Sequence, residues 1–187
     1  MLIKMDPMVT IIIPAMNEEK TIGSCLEKVK AGCLSGKLSY EIIVSDSSTD
    51  STPEIARAHG ARVIHPEKRG YGNAYLSAFP HANGKVVVIG DADDTYDFSQ
   101  IPELVRPIIE GRAEMVIGSR LKGTILPGSM PWLHRYIGNP LLTRLLNFTF
   151  HSNFSDTHSG LRAISRESLQ KLNLHTGGME FASEMLI

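Results

Sequence analysis

Five short runs rich in β-branched residues recur along the chain: Val9–Ile13, Glu41–Ser45, Ala61–Ile64, Lys85–Ile89 and Met115–Gly118. They are nearly continuous in Val and Ile instead of alternating with polar residues. That is the pattern of strands buried on both faces of a parallel sheet. Their starts are spaced by about 20–30 residues, the length of a βα unit. Between them Ile22, Leu26 and Val29 fall at i, i+4 and i+7, and Ile55 with His59 and the segment Pro102–Glu110 also fit helices. The expected class is α/β: a Rossmann-like, mostly parallel central sheet flanked by helices.

Beyond residue 120 the alternation stops. Gly123–Pro131 reads as a turn-rich loop, Leu141–Phe150 as a Leu/Phe-rich helix, the stretch near Gly160–Ile164 as a short strand, and Arg166–Leu172 as a helix. Glu180–Ile187 reads as the start of a helix with no Gly, Asn or Pro to end it. The expectation is one domain over residues 1–187 whose natural chain continues past its C-terminal end.

Nineteen Lys and Arg against twenty Asp and Glu give a net charge of −1, which removes the electrostatic basis for nucleic-acid binding. The two cysteines, Cys25 and Cys33, lack CxxC spacing and read as reduced core thiols in a reducing compartment. No secretory leader is apparent, and no stretch approaches the roughly 20 apolar residues that span a bilayer. The most lipid-like segment, Tyr136–Phe150, is interrupted by Pro140 and Arg144. Its apolar stripe suits core packing, a homodimer interface or an interfacial helix that contacts a membrane peripherally.

In an open parallel sheet, ligands bind at the carboxyl ends of the strands. After the first run comes Pro14-Ala15-Met16-Asn17-Glu18-Glu19, and after the second Asp46-Ser47-Ser48-Thr49-Asp50. The fourth is followed by Gly90-Asp91-Ala92-Asp93-Asp94-Thr95-Tyr96-Asp97, and the fifth by Gly118-Ser119-Arg120. Two carboxylates at i and i+2, Asp91 and Asp93, can meet one hard divalent cation, Mg²⁺ or Mn²⁺, which keeps other positions for phosphate oxygens. An Asp-rich turn or helix cap is the plainer alternative. Asp46 could accept bonds from a ribose or base edge, whereas Asp50 or Ser51 caps the next helix. Asn17 and Glu18 suit either a ligand contact or the cap of a helix starting near Lys20.

Gly70-Tyr71-Gly72 is not a dinucleotide fingerprint, since position 75 is Tyr and the loop follows the third run. With Lys68 and Arg69 it could approach phosphates through its backbone or serve as a helix-entry turn. Arg120, joined by Arg135 or Arg162, offers bidentate recognition of an oxyanion.

These segments, in this order, resemble the family 2 inverting glycosyltransferases of the GT-A fold. The match rests on PAMNEE, VSDSSTD, KRGYGNA, GDADD and GSR after the successive strands. DTHSGLRAISR (Asp156–Arg166) and GMEFASEM (Gly178–Met185) are similar to the polyprenyl-phosphate sugar synthase branch, typified by dolichol-phosphate mannose and glucose synthases. The resemblance implies metal-dependent transfer of a hexose from a UDP- or GDP-hexose to a polyprenyl phosphate at the cytoplasmic face of a membrane. It places Pro14, Ala15, Asn17, Glu18, Asp46, Asp91 and Ala92 around the donor, and Asp91 and Asp93 on Mg²⁺ or Mn²⁺. Asp93 and Arg120 become catalytic, and Arg120 with Arg135 holds the acceptor phosphate.

Two positions depart from the family pattern. Ser45-Asp46 stands where paired acids are usual, and Thr95 where some synthases supply a Gln to the metal. A phosphate acceptor is already anionic and needs no general base. A soluble or polysaccharide hydroxyl acceptor would need one, such as Asp156 or Asp97. A non-catalytic nucleotide-binding module on the same sheet is the third reading.

Overall fold

In a computed structural model, which describes residues 6–118 and 159–186, β1 (Val9–Ala15), β2 (Tyr40–Asp46), β3 (Arg62–Ile64), β4 (Val86–Ile89), β5 (Met115–Ile117) and β6 (Arg162–Ser165) form one sheet. Its order is β3-β2-β1-β4-β6-β5. β1 pairs in parallel with β2 and β4, and β2 with β3. β6 runs antiparallel between β4 and β5, so the sheet is mixed. Around it lie α1 (Ile22–Ser35), α2 (Thr52–Ala58), α3 (Tyr71–Ala78), α4 (Ile101–Ile109), α5 (Arg166–Lys171) and α6 (Phe181–Glu184).

The unbroken Val/Ile runs follow from packing on both faces. Ile11, Ile13, Val44 and Val88 share one apolar cluster with Leu26 and Val29 of α1 and Leu104 and Val105 of α4. The intervening Ile12, Ile43, Val87 and Ile89 join Tyr75 and Ala78 of α3 and Phe181 of α6 on the other face. Each such side chain contributes about 1.5–3 kcal/mol when fully buried. Cys25 and Cys33 are free, buried thiols within the first cluster, as expected. Burial pushes both up to about 12, and the charge of Asp94 adds to the effect on Cys25.

Register brings the carboxyl ends to one rim. Ala15 pairs with Asp46, Ser45 with Ile64, and the Gly90 amide just past β4 donates to the Ile12 carbonyl at 3.3 Å. Just past the carboxyl end of β5, on the same rim, the Gly118 amide donates to the Leu161 carbonyl at 2.9 Å. The C-terminal segment closes over the start of α3. The amides of Gly72 and Asn73 donate to the carbonyls of Gly178 and Gly177 at 3.2 and 3.0 Å. Among the described residues no helix is long and apolar enough to cross a membrane.

Candidate active site

A cavity of about 280 Å³ opens at this rim. Pro14, Ala15, Met16 and Glu18 wall it from the end of β1, and Ser47 from the end of β2. Gly70, Tyr71 and Ala74 bound it from α3, and Asp91, Ala92 and Asp93 from the turn after β4. A larger hollow of about 400 Å³ elsewhere on α3, lined by His65, Glu67, Lys68 and His81 among others, contains none of the strand-end aspartates.

The i, i+2 logic of the Asp-Ala-Asp turn is visible in its burial. Ala92 is buried in the core, Asp91 is half-buried and Asp93 is exposed, with both carboxylates on the same cavity. The Tyr71 hydroxyl donates to Asp91 Oδ1 at 3.0 Å. Burial, and then the Asp91 charge, push the Tyr71 phenol well above its ordinary value, so it stays protonated and can donate. On the other side of this carboxylate, a Cβ on Gly160 would lie 2.6 Å from Asp91 Oδ2. Asp93 Oδ1 accepts from the Thr95 amide at 3.0 Å, an Asx-type turn within its own loop.

The neighbouring acids, indistinguishable from these two by sequence, do structural work. Asp94, at φ 62°, accepts from Lys28 Nζ at 2.8 Å and Ser24 Oγ at 3.3 Å. Asp97 caps a 3₁₀ turn through the Ser99 amide at 3.0 Å. The hydrogen bonds from Ser99 hold its carboxyl below the usual range, which suits a cap better than a proton acceptor.

Asp46 ends β2 at 1% exposure and is not among the residues that wall the cavity, and neither of its carboxylate oxygens has a hydrogen-bond donor among the described residues. His65 Nδ1 lies 3.1 Å from the Asp46 carbonyl and 3.6 Å from its Oδ2. Ser45 Oγ, where the family usually has a second acid, is likewise buried without a partner among the described residues.

Asn17 does not line the cavity. At φ 59° its Oδ1 accepts from the Thr49 amide at 2.9 Å, and its own amide donates to Ser48 Oγ at 2.8 Å, bracing the β1 loop against the β2 loop. α1 begins at Ile22, within two residues of the expected start, and Glu18 closes its entry turn by accepting the Thr21 hydroxyl at Oε2 (2.9 Å). The Gly70–Gly72 loop serves as the entry turn of α3, and two of the amides there are committed. Those of Gly72 and Asn73 are taken by the C-terminal segment, and the glycines admit that close approach: a Cβ on Gly72 would lie 2.1 Å from the Thr176 carbonyl.

Arg162 is no oxyanion ligand at the rim. It is 1% exposed, and its Nε and Nη1 donate to the carbonyls of Ser159 (2.9 Å) and Ala182 (2.7 Å). Arg120, Arg135, the Tyr136–Phe150 segment and Asp156 lie outside the described residues. Sequence reading missed Tyr71 and Ser47 as cavity residues. Their place in strand-end loops was the available signal.

Two carboxylates suffice to anchor a hard dication only if other oxygens complete its shell. Among the described residues no cluster of three or more His, Cys, Asp or Glu could hold an ion alone. Asp91 and Asp93 thus fit a Mg²⁺- or Mn²⁺-type site completed by ligand oxygens and water, which is how Mg²⁺ is usually bound beside phosphates.

Several known proteins are similar to this chain. "Low-salt glycan biosynthesis hexosyltransferase Agl6" of Haloferax volcanii is 49% identical over 97% of this chain, which spans 44% of that protein's length. "Dolichyl-phosphate hexose transferase" of the same organism is 37% identical over 95% of the chain and 74% of its own length. Glucosyl-3-phosphoglycerate synthase from Mycobacterium tuberculosis, solved with Mn²⁺, UDP-glucose and phosphoglyceric acid, superposes with a TM-score of 0.68 at 28% identity, covering 89% of this chain and 59% of that one. The sheet and its helices are therefore the GT-A arrangement expected. Residues 10–172 match the family described as "Glycosyl transferase family 2". With that match over most of its length, the chain is a member of glycosyl transferase family 2.

Proposed function

We propose that residues 1–187 form the catalytic domain of a hexosyltransferase that moves a hexose from a nucleoside-diphosphate sugar to a polyprenyl phosphate. The observation that carries this reading is that Asp91 and Asp93 wall one rim cavity together with Glu18, Ser47 and Tyr71. Asp91 and Asp93 would hold Mg²⁺ or Mn²⁺, which supplies positive charge to stabilise a departing diphosphate. The Mn²⁺ and UDP-glucose in the mycobacterial synthase support a divalent ion and a nucleotide-sugar donor here.

Asp46 belongs to the donor side. A buried carboxylate without donors is costly, and N–H or O–H groups of a base or ribose would satisfy it. Pro14, Ala15 and Glu18 line the cavity, and Ala15 pairs with Asp46 across β1 and β2. An oxygen of the acceptor phosphate attacks the anomeric carbon as the bond to the diphosphate oxygen breaks, inverting the centre. Arg120 and Arg135 would hold that phosphate. An anionic nucleophile needs no base, in keeping with the capping role of Asp97. The lipid acceptor draws support from the dolichyl-phosphate hexose transferase relative and would set the domain against the cytoplasmic face of a membrane.

The test is calorimetric binding of UDP and GDP with and without Mn²⁺ to wild type and Asp93→Asn, followed by transfer assays from UDP- or GDP-hexose to dolichyl phosphate. Mn²⁺ should tighten nucleotide binding to wild type at least tenfold and leave Asp93→Asn unaffected, with transfer lost. Equal Mn²⁺ enhancement in both proteins would remove Asp93 from the metal. Transfer to a hydroxyl acceptor and not to the lipid phosphate would replace the acceptor assignment.

A further inference from the structure

Tyr71 occupies an unusual position for a residue of the sugar-nucleotide cavity. It opens α3, lines the cavity, and points its hydroxyl across to the turn after β4, where it meets Asp91 Oδ1 at 3.0 Å. Its ring is fixed by neighbours that take no part in the rim. It lies edge-on to Tyr75 (centroids 5.1 Å apart, 81° between planes) and to Phe181 at 6.3 Å. Both of those side chains are fully buried in the cluster beneath the sheet. The hydroxyl is therefore delivered from a rigid base to a half-buried carboxylate on a different segment.

Resting on the metal reading above, we infer that Tyr71 is a positioning residue for the divalent ion, its hydroxyl holding Asp91 in the rotamer that presents the carboxylate to the cavity. The hydrogen bond keeps Asp91 in one orientation before an ion arrives, so less side-chain freedom is lost on binding. Gly160 limits the carboxylate from the opposite direction, since any side chain there would collide with Oδ2. Asp93 has a different support, the Thr95 amide of its own turn, and so does not depend on α3.

The experiment measures Mn²⁺ affinity by the EPR signal of free Mn²⁺, in the presence of whichever of UDP or GDP wild type binds. It compares wild type, Tyr71→Phe and Asp91→Asn, with melting curves alongside. The Phe variant retains the ring packing and loses only the hydroxyl. Loss of such an outer partner typically weakens a metal site 10–100-fold, so Tyr71→Phe should bind Mn²⁺ about 10–100-fold more weakly. Its nucleotide affinity without Mn²⁺ should stay within about twofold of wild type, the remaining effect of an uncharged wall contact.

Mn²⁺ binding as tight as wild type in Tyr71→Phe, with loss in Asp91→Asn, overturns the inference alone. Equal loss of nucleotide affinity with and without Mn²⁺ also overturns it, because Tyr71 would then be a direct ligand contact. Wild-type Mn²⁺ binding in Asp91→Asn overturns the metal reading itself. If Tyr71→Phe melts early, Gly160→Ala displaces the same carboxylate from its other side. Weaker Mn²⁺ binding in that variant supports the hold on Asp91, and unchanged binding refutes it.

Discussion

Replacing Gly72 by Ala separates helix propensity from tertiary packing, because the two predict opposite signs. Gly72 is the second residue of α3, where Ala is the better helix former by up to about 1 kcal/mol. An added Cβ, however, would lie 2.1 Å from the Thr176 carbonyl oxygen, 2.8 Å from Phe181 Cβ and 3.0 Å from the Gly177 carbonyl carbon. Two of these atoms are backbone and cannot rotate away, so the C-terminal segment must lift. Overpacking of this kind costs about 1–3 kcal/mol. Lifting also strains the hydrogen bonds from the Gly72 and Asn73 amides to the carbonyls of Gly178 and Gly177, each contributing about 1 kcal/mol.

The net expectation for Gly72→Ala is a loss of about 2–4 kcal/mol, or roughly 5–15 °C in melting midpoint for a chain of this size. Gly23→Ala is the internal control. In α1 its Cβ would meet only His59 Cε1 at 3.6 Å and Ile55 Cγ2 at 3.7 Å, ordinary contact distances. That change should stabilise by a few tenths to about 1 kcal/mol. Urea unfolding followed by circular dichroism measures both. A Gly72→Ala protein as stable as wild type, or two variants that shift in the same direction, would refute the docking of the C-terminal segment on α3.

Asp46→Asn keeps the shape of a buried side chain and removes its charge. It should weaken UDP or GDP binding by about tenfold or more while leaving the melting midpoint unchanged or raised, since a desolvated carboxylate no longer has to be accommodated. Calorimetry with thermal melts checks both halves, and undiminished nucleotide affinity would take Asp46 out of the donor site. The thiols give a pH test. Cys25 and Cys33 are held at about 12 against 9.0 for an open thiol, so their contribution is complete below about pH 9 and is lost as pH rises through 12. The urea midpoint should fall above pH 9, less steeply in a Cys25→Ala/Cys33→Ala protein, and neither native thiol should react with Ellman's reagent at pH 8. An identical pH slope in the two proteins would count against the burial cause.

What could be read from the chain was what burial writes into it. β1, β2 and β4 were visible because both their faces are covered, which demands Val and Ile at consecutive positions. The acids of the rim were visible because they follow such runs directly. Orientation was not visible. Asp91, Asp93, Asp94 and Asp97 are one acidic stretch in sequence, and only the buried Ala92 and the partners Lys28 and Ser99 sort cavity residues from supports. The direction of β6 was hidden for another reason. Arg162–Ser165 is too short to display a period, and its antiparallel insertion depends on pairing with β4 and β5. Tyr71 reads as part of a glycine turn until α3 brings its hydroxyl to Asp91, a contact between distant segments that local pattern cannot encode.

The hydrogen bond from the Gly118 amide to the Leu161 carbonyl has a consequence for how such a domain can diversify. It joins two points 43 positions apart in sequence. Once two points of a chain are held together, lengthening what connects them costs only about 0.6 kcal/mol of closure entropy for each doubling of length. Related chains could therefore differ in length between these two points at little cost to the sheet whose rim carries Asp91 and Asp93.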